Sequence, residues 1–403
     1  MKLRAGLVFG AAAIALMTGD ASAAKIRVLH AFDGDDGSLP LAAVVPGAHG
    51  KVYGTTTYGG NSGCNGQTCG TVFSLSRDGT FATVHFFQPG GDGFWPQTLV
   101  VDGAGNLFGV TEEGGSGTGC TNGPWGCGTV FKIARNGTES IVYSFQGGHD
   151  GAYPSGLALD ASGNLYVPTQ KGGGGLHREG RGVVAKIAPD ATETILYRFS
   201  GGSDGFGPYG NPLIDSDGNL YASESGVQEP GAFGVITGEA VFKLTPGGTK
   251  SIVHFFFGAP NDGSDTVSSL TADSNGNLFG VTAGGGAHNF GTVFKIDAGG
   301  SESLLYSFGG GADGATPDAG VVLDGSGNLF GTTMAGGDSA CANGCGTVFM
   351  LTQDGNKTTL GSLLEHQGSA AGGLFMNKHG TLIGVAAQGG ANGQGTVFRI
   401  GGF

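Results

Sequence analysis

Short apolar runs alternate with Gly-, Asp- and Asn-rich turns from residue 26 to residue 400, and the runs return in a fixed order. In one period they fall at Gln97–Val101, Asn106–Thr111, Gly128–Ile133 and Glu139–Phe145. Runs of this length, rich in Val, Ile, Thr and Phe and bounded by turn residues, predict four β-strands. Asp102-Gly103-Ala104-Gly105 separates the first two and recurs as Asp160-x-x-Gly163, Asp215-x-x-Gly218, Asp273-x-x-Gly276 and Asp324-x-x-Gly327. Asp folds its carboxylate onto the backbone that follows and Gly supplies positive φ, so each is a hairpin turn. Runs such as Leu99-Val100-Val101 and Val321-Val322-Leu323 are apolar at every position, which predicts sheets covered on both faces.

The period itself decides the architecture. Gly-Thr-Val-Phe occurs at Gly70, Gly128, Gly291, Gly346 and Gly395, with degraded copies at Gly182 and Glu239, a spacing of roughly 50–60 residues. Seven four-stranded antiparallel sheets, each needing a neighbour on both faces, predict an all-β seven-bladed propeller. A lone fourth-type strand at Val28–Phe32 and a terminal third-type strand at Thr396–Ile400 are expected to pair and close the ring, removing an exposed edge.

The composite Asp-Gly-x-x-Pro, Gly-Asn-Leu-Phe-Gly-Thr-Thr, Gly-Gly and Gly-Thr-Val-Phe-Lys-Ile resembles the GloVer tandem repeat over nearly all of residues 26–400. That resemblance implies an exported bacterial repeat protein of the choice-of-anchor type, with no implied substrate or catalytic residue. The chain departs from the pattern after Ile400, where Gly401-Gly402-Phe403 has no room for an anchor. An untethered protein is therefore expected.

Residues 1–23 read as a secretory signal: Lys2 and Arg4, an apolar stretch from Ala5 to Met17, and Ala21-Ser22-Ala23 as cleavage site. The stretch is shorter than the ~20 residues of a membrane span. Residues 24–403 are then a single secreted or periplasmic domain, expected to be monomeric. In such a compartment the pairs Cys64/Cys69, Cys120/Cys127 and Cys341/Cys345 read as three local disulfides. With 19 Lys and Arg against 32 Asp and Glu, and no basic cluster in sequence, nucleic acid and membrane insertion are not expected.

Candidate chemistry lies on the face where fourth-to-first connections and second-to-third loops emerge. Asp36, Asp92, Asp150, Asp204, Asp262 and Asp313 open those connections; they suit either a ring of cation ligands or turns that fix entry to the inner strands. Sixfold repetition favours the turns. His30, His85 and His254 alternate with Tyr143, Tyr197 and Tyr306, so they read as amphipathic edge residues rather than ligands. Trp95, Trp125, Tyr153 and Tyr209 come from the connections and loops of blades 2 to 4. The divergent loop of blade 3 carries His177, Arg178 and Arg181. These seven residues are the candidate ligand-binding set. No nucleophile elbow, zinc motif or phosphate loop occurs, so no metal or cofactor is expected. The favoured function is a non-catalytic module binding a glycan, a peptide or a cell-surface partner. The alternative is an extracytoplasmic enzyme, a lyase or glycan-processing protein, with its site at the channel mouth near blades 2 to 4.

Overall fold

A computed structural model describes residues 26–120, 125–174, 180–228, 237–265 and 269–401. The leader expected at residues 1–23 lies outside the described residues, as do His177 and Arg178.

Seven antiparallel sheets form one ring. From the axis outward, blade 2 runs Phe94–Val101, Leu107–Glu113, Thr129–Ile133 and Glu139–Ser144. Blade 4 runs Phe206–Ile214, Leu220–Gln228, Thr237–Leu244 and Lys250–Phe255. Blades 1, 3, 5 and 6 repeat that order. Blade 7 combines Ser369–Met376, Leu382–Gln388 and Thr396–Ile400 with Arg27–Ala31 from the other end of the chain. Val28 faces Phe398 and Ala31 faces Thr396, so the expected closure forms, and all seven blades are four-stranded.

The core lies between blades. Val110 and Val130 of blade 2 meet Leu165 and Val183 of blade 3 in one buried cluster, and Phe32 and Val397 of blade 7 meet Val52 and Phe73 of blade 1 in another. Within a blade, the middle glycine of the second strand is a packing device. A Cβ on Gly109 would stand 2.3 Å from the Phe131 ring on the paired strand, and Gly54, Gly280, Gly331 and Gly384 are equally closed by Phe73, Phe294, Phe349 and Phe398. Blade 3 reverses the volumes: Val167 sits where the glycine would be, opposite Ala185. Both solutions fill the same space, which close-packed interiors demand.

Two further repeats of the sequence are explained by hydrogen bonding. Asp102 Oδ1 accepts from the amides of Ala104 (2.9 Å) and Asn106 (2.8 Å), and Asn106 Nδ2 donates to Asp102 Oδ2 (2.7 Å). The same three bonds recur at Asp160, Asp215, Asp273 and Asp324. Buried threonine hydroxyls on the second and third strands pair at 2.7–2.9 Å in blades 1, 2, 5 and 6. The glycine of Asp92-Gly93 rests on one such pair: at φ +86° its Cβ would lie 2.4 Å from Thr111 Oγ1.

The disulfides Cys64–Cys69, Cys120–Cys127 and Cys341–Cys345 are formed, each within one second-to-third loop, and the described residues include no free cysteine. Among the described residues no helix is long and apolar enough to cross a membrane.

Candidate functional site

Six of the seven seams between neighbouring blades are clamped by the same arrangement; the seam between blades 6 and 7, where Gly361 takes the ring position, is not. A β-bulge in the outer strand turns one side chain toward the aspartate that follows it. His30 Nε2 meets Asp36 Oδ2 at 2.7 Å, His85 meets Asp92 at 3.2 Å and His254 meets Asp262 at 3.3 Å. Tyr143 donates to Asp150 at 2.8 Å and Tyr306 to Asp313 at 2.8 Å, and Tyr197 likewise to Asp204. His and Tyr interchange because both deliver a ring-borne hydrogen to one carboxylate. The aspartates also accept backbone amides, from Gln88 to Asp92 and from Gly309 to Asp313.

The next blade adds the third member, the first residue of its outer strand. In two seams it is lysine: Lys250 Nζ lies 3.3 Å from Asp204 Oδ1, and Lys357 Nζ lies 2.6 Å from Asp313 Oδ1. In three seams it is glutamate: Glu139, Glu193 and Glu302 each keep one buried carboxyl oxygen without a hydrogen-bond partner. Burial raises all three carboxyls, and for Glu193 burial and the neighbouring Asp150 push it up to about 8. Ligand atoms of His85, Asp92 and Glu139 lie within 4.8 Å of one another, as do those of His254, Asp262 and Glu302. These are the described positions whose chemistry would admit a cation. Their equivalence to the Tyr–Asp–Lys seams makes them blade clamps first.

One clamp extends inward. Glu224, fully buried on the second strand of blade 4, places Oε1 2.8 Å from Lys250 Nζ, an ion pair without hydrogen-bond alignment. Burial outweighs the pull of Lys250 and raises Glu224 to about 7. The group is sealed from solvent, so it serves packing rather than turnover. Near the axis, Asn211 takes up space that a channel would occupy, bonding to Thr98, Leu157 and Ser269 of three other blades.

The candidate contact residues separate by exposure. Trp95 is half-buried, its Nε1 donates to the Thr68 carbonyl at 3.1 Å, and Tyr58 packs edge-on against it at 5.7 Å. Tyr153 is 5% exposed and sits in the core between blades 2 and 3 rather than on the surface. Both take φ +59°, as Leu39 (+56°) and Thr316 (+54°) do immediately before the matching prolines. The position is a left-handed entry into the inner strand, and the flat rings there close seams. Tyr209 is half-buried, with its hydroxyl raised above the usual range by burial and then by Glu239. Trp125 is 36% exposed at the end of its disulfide loop. Arg181 lies 5.6 Å over the ring of Phe206, which is itself 39% exposed.

Phe206 belongs to a group of which the sequence singled out only Trp125 as a ligand contact. Among the described residues the exposed aromatics are Phe86, Trp125, Phe206, Phe257 and Phe290. All five lie on fourth-to-first connections or second-to-third loops, or at the strand ends that meet them, and so on one face of the ring. Their signal in sequence was departure from the repeat: Phe257 and Phe290 stand where other blades place small or polar residues.

The repeat now has its match. The family model described as the Gloeobacter/Verrucomicrobia repeat covers residues 116–343, from the loop of blade 2 to the loop of blade 6. The chain belongs to this repeat family. No curated protein matches it. Among solved structures, this GloVer-repeat propeller is similar to a putative gluconolactonase at 14% identity and TM-score 0.46, covering 94% of this chain and 92% of that one. A gluconolactonase from Xanthomonas campestris aligns at 14% identity and TM-score 0.45, over 82% and 89% of the two chains. A luciferin-regenerating enzyme aligns at 12% identity and TM-score 0.47, over 76% and 91%. No residue role is carried across from any of them.

Proposed function

We propose that this repeat protein is an extracytoplasmic, non-catalytic binding module whose aromatic face holds a glycan, a peptide or a cell-surface partner. The observation that carries the reading is the confinement of all five exposed aromatics to one face. Exposed flat rings on a rim of polar loops supply stacking area at little entropic cost, which is how binding surfaces use them. The raised carboxyls of Glu139, Glu193, Glu302 and Glu224 belong to the seam clamps, where they hold blades together. The three disulfides agree with an oxidising compartment. They pin the second-to-third loops, including the one that carries Trp125.

The test is an array of glycans and surface proteins, followed by titration of the strongest hit with wild type and with Trp125→Ala/Phe206→Ala. The double variant is expected to bind at least roughly 30-fold more weakly while melting like wild type. Equal affinities would refute the aromatic face, and turnover of the bound ligand would favour the enzymatic alternative.

A further inference from the structure

The opposite face, made of first-to-second and third-to-fourth turns, carries a different surface. A cavity of about 880 Å³ opens there, where blade 7 meets blade 1. Lys51 and His49 reach it from the first turn of blade 1, and Arg77 from the third-to-fourth turn of the same blade. Lys378 and His379 come from the first turn of blade 7, and Arg399 from its third strand. Among the described residues no carboxylate lines the cavity. The whole chain has only 19 Lys and Arg against 32 Asp and Glu, so four cations on one cavity are a marked local reversal of its charge.

Among the described residues none of those cations is locked into an ion pair, although Lys51 lies 5.9 Å from the centre of the Tyr53 ring. Lys250 and Lys357 elsewhere are locked to carboxylates, whereas none of the four has a carboxylate oxygen within 4.0 Å among the described residues. Asp78, beside Lys51, has its carboxylate turned to the Thr80 amide at 3.0 Å. The cavity is also not uniformly polar. Leu29, Phe375 and Ile383 form a half-buried apolar patch between the turns, next to the buried Val52 and Leu75.

We infer that this cavity is a second binding site, for a short acidic oligosaccharide. A cationic rim around an apolar floor suits a ligand with flat C–H faces and carboxylates or sulfates at its edges. Inorganic phosphate would leave the floor uncovered. The volume lies within the ~300–1,000 Å³ of pockets that enclose small ligands, so the bound unit is a few sugars long. Four unpaired cations make the affinity fall with salt.

The experiment is calorimetric titration of the full exported chain with an oligogalacturonate and with a neutral galacto-oligosaccharide of the same length, at 20 mM and 200 mM salt. Binding of the acidic sugar alone is expected, weakened at least tenfold in Lys378→Ala/Arg399→Ala and unchanged in Trp125→Ala/Phe206→Ala. The second variant keeps this test separate from that of the aromatic face. Lys378→Gln, on an exposed turn, serves if the double variant fails to fold, with a smaller loss expected. Equal binding of the neutral sugar, no effect of the variants, full competition by inorganic phosphate, or preference for an Asp-rich peptide would each overturn the assignment.

Discussion

The side-chain amide of Asn211 donates to Thr98 Oγ1 at 3.1 Å, joining blade 4 to blade 2 although blade 3 lies between them in the chain. Its Oδ1 accepts the Leu157 amide of blade 3 at 3.1 Å, and its own amide donates to Ser269 of blade 5 at 3.3 Å. One residue therefore gathers four blades. Asn211→Ala leaves the Leu157 amide unsatisfied, and a loss of about 1–3 kcal/mol is expected. Urea denaturation should show a lower midpoint with an unchanged slope; an unchanged midpoint would mean that solvent already serves these groups.

The Gly109/Phe131 pair predicts a rescue. Gly109→Val alone forces a side chain into the Phe131 ring, and Phe131→Ala alone leaves a cavity costing about 3–5 kcal/mol. The double variant copies Val167 opposite Ala185 of blade 3. It should be less destabilised than the sum of the singles by more than about 1 kcal/mol in a double-mutant cycle. Additive losses would show that blade 3 owes its packing to something else.

That pair also shows what the sequence could and could not disclose. The strand order, seven blades and the closure through Val28–Phe32 were legible because each repeat states them again, and the Asp-x-x-Gly-Asn turns were legible because their hydrogen bonds are local. The exchange of volumes between Gly109/Phe131 and Val167/Ala185 looked like decay, since it becomes compensation only when the strands are paired. Trp95 and Tyr153 were legible as aromatic, but not as half-buried and buried, because an inner-strand entry at positive φ turns them into the seam. The rim of Lys51, Arg77, Lys378 and Arg399 was invisible for the same reason in reverse: the ring brings together residues from opposite ends of the chain.

Stability should peak in mildly acidic solution. Glu224 and Glu193 have carboxyls raised from 4.5 to about 7 and about 8, so the folded state holds their protons more tightly than the unfolded chain does. Their contribution is fully present below about 4.5 and is lost as pH rises through about 7 and about 8. Asp204 and Asp262 run the other way: clamp hydrogen bonds hold them below 3.8, and their contribution disappears as pH falls under that value. A thermal melt series should therefore show its highest Tm between these limits. Glu224→Gln should flatten the limb between 4.5 and about 7, and a profile identical to wild type would count against the assignment.

Glu193→Lys offers a converse test. It would convert Tyr143–Asp150–Glu193 into the Tyr–Asp–Lys clamp already present at Lys250 and Lys357. The variant is expected to gain roughly 2–4 °C in Tm at pH 8 and little at pH 5. Equal shifts at both pH values would separate the gain from the proton held at that seam.

Closure through Arg27–Ala31 and Thr396–Ile400 also fixes a chronology. The first strand to leave the ribosome has no partner until the last one has been made, so the ring cannot be finished piecemeal during synthesis. Six blades can assemble from neighbours close in sequence, but the seventh joins segments separated by nearly the full chain, the kind of contact that slows folding most. Throughout that wait the strand Arg27–Ala31 has no partner, which makes the nascent chain a natural client for holding chaperones until its two ends meet.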